Sequence, residues 1–432
     1  EVRVLTRDYR RTYTNLMVCT GARDSMVVTA AVFTRIAEKV MGGFREALVR
    51  MGKDVGGFAC YRLLGCSGDA GGLAMVAVGL VPSLTAKAAR MAAESAGAKV
   101  VRTFSYELSP AEQHDIQLIK PDIVLLSGGT DGGNKETLIN NARKLSAIDR
   151  PFAVIVAGNK SAAGEVEAIL DQSGKRYLVT ENVMPSFGVL NIAPARACVR
   201  DIFIQRIIEA KGLAQVQQMT EHEIIPTPLA VLRACELLSR GSGTSGGLGE
   251  FMAVDLGGAT TDVYSMAAGE PSFDNVAVKG LPEPFAKRTV EGDLGMRYSA
   301  PFLLEAVGAE RAAREAGVGV EDVVAWVEKC AASPEALAPE NSLERAMDET
   351  LARLAISYAV FCLKKKMEKA YNPMGERFTP RGKDLTGMQK VIGVCGILVN
   401  SRAPAALLRA SASRAEPRAA GTALPDTPQH SP

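Results

Sequence analysis

Residues Phe251–Met266 read FMAVDLGGATTDVYSM, and the polar types that phosphoryl chemistry uses fall together between Asp255 and Asp262. An apolar run, Phe251 to Val254, ends in Asp255; Gly257 and Gly258 follow, and Thr260, Thr261 and Asp262 lead into the β-prone Val263 to Ser265. The pattern is strand, tight turn, strand. Gly257 and Gly258 are expected to reverse the backbone at positive φ and to leave room for a bulky anion at the amides. The two threonines add short donors, and Asp255 and Asp262 bracket the turn with carboxylates suited to a hydrated Mg²⁺. Phosphoryl transfer asks mainly for positioning, backbone donors and a metal, and these residues are of the right types. A plain glycine-turned hairpin with its polar groups in water fits the stretch equally well.

Other glycine clusters narrow the field. The strand IVLLS runs into GGTDGGNKE (Gly128–Glu136), placing a glycine-rich loop where open α/β sheets bind ligands; a loop that merely caps the next helix stands at even odds. GSGTSG matches GxGxxG at Gly241, Gly243 and Gly246, but it follows a helix and precedes a strand, the wrong order for a dinucleotide fold. AGNKS (Ala157–Ser161) lacks Walker A spacing. In KVIGVCGILVNS (Lys390–Ser401), Gly393 and Gly396 after a strand suit either a backbone lying against a flat ligand such as adenine or an ordinary strand-to-helix turn. Val278–Ala300 gathers Lys279, Lys287, Arg288 and Arg297 with Glu283, Glu291 and Asp293, and reads as an irregular charged loop, functional or simply solvated.

The elements that must position these groups follow from periodicity. Residues 2 to 20 form two β-prone segments around a polar turn at Asp8 to Arg11, a hairpin without glycine. Val32, Ile36, Val40, Phe44 and Leu48 predict a helix over residues 31 to 52. From Cys60 to Lys160 helices (Ser83–Ala96, Ser109–Ile119, Asn134–Leu145) alternate with strands (Lys99–Phe104, Ile123–Ser127, Phe152–Ala157), which predicts a parallel sheet. Glu181–Asn191 reads as a loop, and helices are expected at Pro194–Lys211, Pro226–Arg240, Pro301–Ala316, Val320–Ala332 and Ser342–Lys369. The basic run Lys364 to Lys366 then reads as a solvated helix end.

Composition sets bounds. The 432 residues suffice for two or three domains, and 50 Lys plus Arg against 48 Asp plus Glu give a net charge of +2. Bulk attraction to nucleic acid or membrane is not expected. No apolar run reaches the roughly 20 residues that span a bilayer, and EVRVLTRDYRR lacks the apolar core of a signal peptide, so a cytoplasmic location is expected. The eight cysteines are scattered singly, which suits reduced thiols, and His114, His222 and His430 are too few and too far apart for a multi-histidine metal centre.

VDLGGATTDV resembles the second phosphate hairpin of the actin, sugar kinase and heat-shock chaperone ATPase superfamily, and IGVCGILVNS its adenosine loop, with Cys395 in place of a customary glycine. Within that superfamily the chain is similar to the glutamate mutase accessory proteins, the GlmL or MutL family. The matching stretches are CSGDAGGLAMVAVGLVPSLTAKAAR, KPDIVLLSGGTDGGNKE, AGNK, ENVMPSFGVLNIAPAR, IPTPLAVL, VDLGGATTDVYS and GLPEPFAKRTVEGDLGMRYSA. The resemblance implies an α/β fold of two actin-like (RNase H-like) ATPase domains around a nucleotide cleft, with an inserted α/β segment. Residues 1–65 would begin the N-terminal actin-like domain, 66–240 form the α/β region with the GGTDGG loop, 241–409 the C-terminal actin-like ATPase domain, and 410–432 a disordered tail.

It also implies an ATP-dependent reactivating chaperone for an adenosylcobalamin-dependent mutase of the glutamate (methylaspartate) type. ATP hydrolysis would drive release of damaged cobalamin, with ATP and Mg²⁺ as cofactors, and an oligomer is compatible with this role. Asp255 would orient the Mg²⁺ hydration shell; amides from Gly257 to Thr260, through Gly258 and Ala259, with the Thr260 and Thr261 hydroxyls, would hold phosphates. Asp262 would take a water-positioning role, and Gly393 and Gly396 would face adenosine. The family's first phosphate hairpin reads approximately DIGSTYTK, and Asp8–Asn15 (DYRRTYTN) is its match here. Asp8, Thr12 and Thr14 survive, whereas Arg10 stands for the glycine, where a Cβ and a long side chain crowd the phosphate, so weak ATPase activity is expected. The tail after about Arg409 departs from the family's expected end. Two alternatives are a nucleotide-binding scaffold that holds the mutase without turnover, and a small-molecule kinase of the same superfamily.

Overall fold

The computed structural model describes residues 2–7, 13–20, 25–33, 49, 62–67, 73–211, 217–218, 222–243, 245–269, 281, 283–334, 336–363, 366–372, 375–381, 383–385, 388–394, 396–399 and 401–412. By its internal contacts the chain divides into two units, Glu1–Val231 and Leu232–Pro432. The architecture is mixed α/β.

The first unit opens with strands β1 (Val2–Arg7), β2 (Tyr13–Thr20), β3 (Ser25–Phe33) and β4 (Arg62–Ser67). β1 and β2 are antiparallel with Arg7 opposite Asn15, so the two β-prone segments pair as expected, while the turn at Asp8 to Arg11 lies outside the described residues. The helix expected from residue 31 does not begin there. Ala31 to Phe33 close β3, in register with β2, because the β-branched run MVVT commits this stretch to the sheet first. The rest of that expected helix lies outside the described residues, Val49 excepted.

A second sheet holds β5 (Ala74–Gly79), β6 (Lys99–Ser105), β7 (Ile123–Leu126), β8 (Ala153–Val156) and β9 (Tyr177–Val179) in the order β6-β5-β7-β8-β9, parallel throughout. The helices between them are α1 (Lys87–Ser95), α2 (Pro110–Ile119), α3 (Glu136–Ser146) and α4 (Ala163–Ser173). α2 starts where its sequence says: Ser109 Oγ accepts from Glu112 N and the Glu112 carboxylate accepts from Ser109 N, a closed capping box with proline at the first helical position. β7 and β8 are buried throughout, and the face carrying Val124, Leu126, Val154 and Val156 packs against α2, α3 and α4. After α5 (Ala193–Lys211), the short strand β10 (Ile225–Pro226) pairs with β4, and α6 (Thr227–Arg240) runs across the division between the units.

The second unit begins with a small hairpin, β11 (Gly241–Ser242) and β12 (Ser245–Gly246). Its main sheet comprises β13 (Phe251–Leu256), β14 (Thr261–Met266), β15 (Ala286–Glu291) and β18 (Val391–Val394), ordered β15-β14-β13-β18. The charged segment read as irregular therefore contains a strand. Arg288 is buried on it and Lys287 half-buried, and charge on both faces hides the strand in sequence.

The helix expected over residues 301 to 316 is two, α7 (Ala300–Val307) and α8 (Ala309–Ala316), divided at Gly308 with φ 86°. α9 (Val320–Ala332) and α10 (Leu343–Leu363) follow. α10 stops six residues before the expected Lys369, and β16 (Lys366–Asn372) and β17 (Gly375–Arg381) form a hairpin there. In sequence Asn372, Pro373 and Gly375 are turn-forming types, which favour a hairpin over a continued helix. After β18 come α11 (Gly396–Val399) and α12 (Pro404–Leu408). The core of this unit packs Met252, Val254, Leu256 and Val263 against α7, α9 and α10.

Candidate functional site

β13 and β14 pair in strict antiparallel register from Phe251↔Met266 to Leu256↔Thr261. Side chains alternate faces along a strand. Met252, Val254, Leu256 and Val263 lie against the helices, so Asp255 and Asp262, directly opposite each other, share the other face. Both are buried, at 3% and 1% exposure. Two carboxylates directly opposite repel, and a counter-charge lies alongside. Arg288, 5% exposed on β15, donates from Nε (3.0 Å) and Nη2 (2.8 Å) to Asp262 Oδ1, while Thr260 Oγ1 donates to Asp262 Oδ2 at 3.2 Å. Cys235 of α6 senses the other acid: burial, with the charge of Asp255 adding, pushes its thiol up to about 11.

The turn departs from expectation in one respect. Neither Gly257 nor Gly258 adopts positive φ, so the reversal is made within ordinary backbone space. Gly257 N donates to Thr260 O at 2.9 Å, closing the turn internally. The turn is held from outside by Leu294–Ser299. Met296 N donates to Gly257 O (3.0 Å), and Arg297 N (2.9 Å) and Ser299 N (3.5 Å) donate to Gly258 O. The Thr261 hydroxyl donates to Leu294 O, which commits it to this brace. Gly295 makes the approach feasible, since a Cβ there would lie 2.4 Å from the Ala259 backbone.

The brace has a consequence for the amides. In a trans peptide the C=O and the following N–H point in opposite directions. With the carbonyls of Gly257 and Gly258 turned to the brace, the N–H groups of Gly258 and Ala259 point away from it. Among the described residues these two amides donate to no protein group. Successive backbone N–H groups of this kind make an anion-binding concavity.

The remaining expected residues fall as follows. Gly393 lies on β18 beside Val254, and a Cβ there would stand 3.0 Å from Leu398 Cδ1 and 3.2 Å from Leu408 Cδ1, so close packing of α11 and α12 accounts for the glycine. Gly396 is exposed at the start of α11, and Cys395 lies outside the described residues. Asp8 and Thr12 lie outside them too; Thr14 pairs with Val32 between β2 and β3. The Gly128–Gly133 loop is fixed from neighbouring strands. Asn159, 1% exposed, accepts from Gly132 N and donates to Gly133 O and Asn134 O, while Asn182 donates to Gly129 O and Asp131 Oδ1.

Sequence reading did not single out Gly295 and Asp348, and it named Arg297 only as one charge of the Val278–Ala300 segment. Asp348 carried a signal, being an acid set beside Met347 and Leu351 on a helix face that must be buried. Asp255 offers the hard oxygen that a hydrated Mg²⁺ takes, and the turn amides offer what a phosphate takes, so the residues present fit both groups. Among the described residues no cluster of three or more His, Cys, Asp or Glu is placed to hold a metal, and no helix is long and apolar enough to cross a membrane.

Comparison with known proteins gives a consistent answer. The chain is 43% identical to Protein MutL of Clostridium tetanomorphum over 408 residues, covering 94% of this chain and 88% of that one. Among solved structures, the xylulose kinase of Bifidobacterium adolescentis aligns over 95% of this chain and 98% of its own, at 10% identity and a TM-score of 0.26, too low to bear on the fold. A family model described as MutL protein matches residues 4–430, and so includes both the Asp8–Asn15 hairpin and most of the tail that composition sets apart. The chain belongs to the MutL family, the glutamate mutase accessory proteins.

Proposed function

We propose that the protein is an ATP-dependent reactivating factor for an adenosylcobalamin-dependent mutase, and that the β13–β14 turn is its phosphate grip. The observation carrying this reading is the braced turn, whose Gly258 and Ala259 amides are directed away from Leu294–Ser299 beside a buried Asp255. Gly258 and Ala259 donate to phosphate oxygens; Asp255 orients the water shell of Mg²⁺; Thr260 holds Asp262 in place rather than contacting phosphate. Asp262, spent on Arg288, acts through the turn's geometry. When bound, Mg²⁺ neutralises charge on the phosphates. Gly396 lies at the adenosine end, and the client is the mutase whose accessory proteins form this family.

The test uses a glutamate-type mutase loaded with cyanocobalamin as the damaged cofactor. Full-length chain with MgATP is expected to release corrinoid from it, and the chain without nucleotide is not. Release that is independent of ATP, or absent under all conditions, overturns the reading.

Arg10, in place of the glycine of the first phosphate hairpin, favours a second reading, in which nucleotide binds without turnover and the chain is a scaffold. Phosphate release above background, abolished in Asp255→Ala, decides against the scaffold.

A further inference from the structure

Asp348, 2% exposed on α10, is the meeting point of three elements. Arg297 donates to both its oxygens, Nη1 to Oδ1 at 3.3 Å and Nη2 to Oδ2 at 3.0 Å, and the indole Nε1 of Trp326 on α9 donates to Oδ1 at 2.9 Å. Arg297 Nη1 also donates to Met296 O at 2.6 Å. The same residue's backbone N donates to Gly258 O at 2.9 Å, and a Cβ on Gly258 would lie 3.5 Å from Arg297 Cβ. One residue thus holds the turn with its main chain and the helical layer with its side chain.

The connection is directional. A phosphate accepting from Ala259 N–H polarises the peptide whose carbonyl belongs to Gly258, and that carbonyl accepts from Arg297 N–H. Hydrogen bonds in such a chain strengthen together, so ligand at the turn tightens the grip on Arg297. Its planar guanidinium is fixed bidentately to Asp348, a geometry that lysine does not reproduce. Movement at Arg297 therefore reaches the carboxylate that also receives Trp326.

We infer that Arg297 is a positioning residue that couples phosphate occupancy at the Gly258–Ala259 turn to helices α9 and α10 through Asp348. The inference rests on the phosphate-grip reading above and assigns the way that site communicates with the rest of its unit. α9 and α10 are the responding elements, and the response is a change in the hydrogen bonding of Trp326.

Trp326 is the chain's one tryptophan, so its fluorescence reads the coupling without a label. MgATP and MgADP, added to full-length protein, are expected to shift or quench its emission, while adenosine alone leaves it unchanged. In Arg297→Met, calorimetry is expected to find nucleotide bound about 10- to 100-fold more weakly, the scale of a lost charged hydrogen-bond pair. At saturating nucleotide that variant shows less than half the wild-type emission change. Arg297→Lys, which keeps the charge and a single donor, lies between the two and serves if Arg297→Met fails to fold. Binding seen by calorimetry with unchanged Trp326 emission in the wild type, or full wild-type amplitude in Arg297→Lys and Arg297→Met, overturns the coupling and leaves the phosphate grip standing. Absence of nucleotide binding to the wild type overturns the grip itself.

Discussion

Asp255 and Asp262 face each other across the β13–β14 hairpin on one buried surface, and Arg288 is ion-paired to Asp262. The pairing gives two identical side chains different expected roles. Replacing Asp262 strands a buried guanidinium, so Asp262→Asn is expected to cost about 3–5 kcal/mol in urea unfolding. Replacing Asp255 removes a repulsion between directly opposed like charges. Asp255→Asn leaves the Arg288–Asp262 pair in place and is expected to cost less than Asp262→Asn in the same measurement, without nucleotide. Equal destabilisation by both substitutions contradicts this division of roles.

The brace makes its own prediction. Gly295→Ala puts a methyl 2.4 Å from the Ala259 backbone, so either the turn or Leu294–Ser299 must shift. Binding of ATP and ADP is expected to fall at least tenfold, with a smaller effect on adenosine, measured by calorimetry on the same preparation. An equal loss for all three ligands marks general damage instead. Thr261→Val, which removes only the hydroxyl bond to Leu294 O, is expected to cost about 1–2 kcal/mol of stability.

The glycine-rich loop of the first unit serves as a contrast. Asn159 is bonded to Gly132, Gly133, Asn134 and Ser161. Asn159→Ala is expected to cost about 2–4 kcal/mol, from several lost bonds and stranded backbone groups. Nucleotide affinity is expected to stay unchanged on the reading that puts the phosphate grip at the β13–β14 turn. Weakened MgATP binding in that variant assigns the loop to the nucleotide site.

Lys383 gives a pH signature. It is fully buried, its Nζ donating to Ser265 O (3.2 Å) and Phe285 O (2.5 Å), and burial, with the neighbouring Lys287 charge adding, lowers its pKa to about 7; Glu283 and Glu250 oppose the shift. The native state releases this proton near pH 7 and the unfolded chain near pH 10.4, so between them the unfolded state binds more protons and stability rises with pH. Cys235 and Cys330 act with the opposite sign above about pH 8.5, their native thiols being raised to about 11 by burial. Stability is expected to climb from pH 7 to about 8.5, and Lys383→Met to flatten that climb. An unchanged slope in Lys383→Met removes the lysine as its source.

Local periodicity made much of this legible. The strand–turn–strand of Phe251–Met266, the capped helix at Ser109 and the alternation from Ser83 to Ala157 all lie within windows where side-chain spacing alone decides the element. What it missed depends on distance along the chain. β15 hides because Lys287, Arg288 and Glu291 carry charge on both faces, and Arg288 is buried only because Asp262, 26 residues earlier, receives it. The brace at Leu294–Ser299 is invisible for a related reason, since Gly295 matters only where it meets Ala259. Positive φ at Gly257 and Gly258 was the natural expectation for a two-glycine turn. The structure instead uses the absent Cβ of Gly295 for close approach, and turns without it at the tip.

Calorimetric titration of the full-length chain with ATP, with and without Mg²⁺, in wild type and Asp255→Ala, tests the central claim most directly. Saturable Mg²⁺-dependent binding by the wild type, lost or weakened at least tenfold in Asp255→Ala while circular dichroism stays unchanged, is the predicted result. No binding by the wild type, or equal affinity in the two proteins, contradicts it.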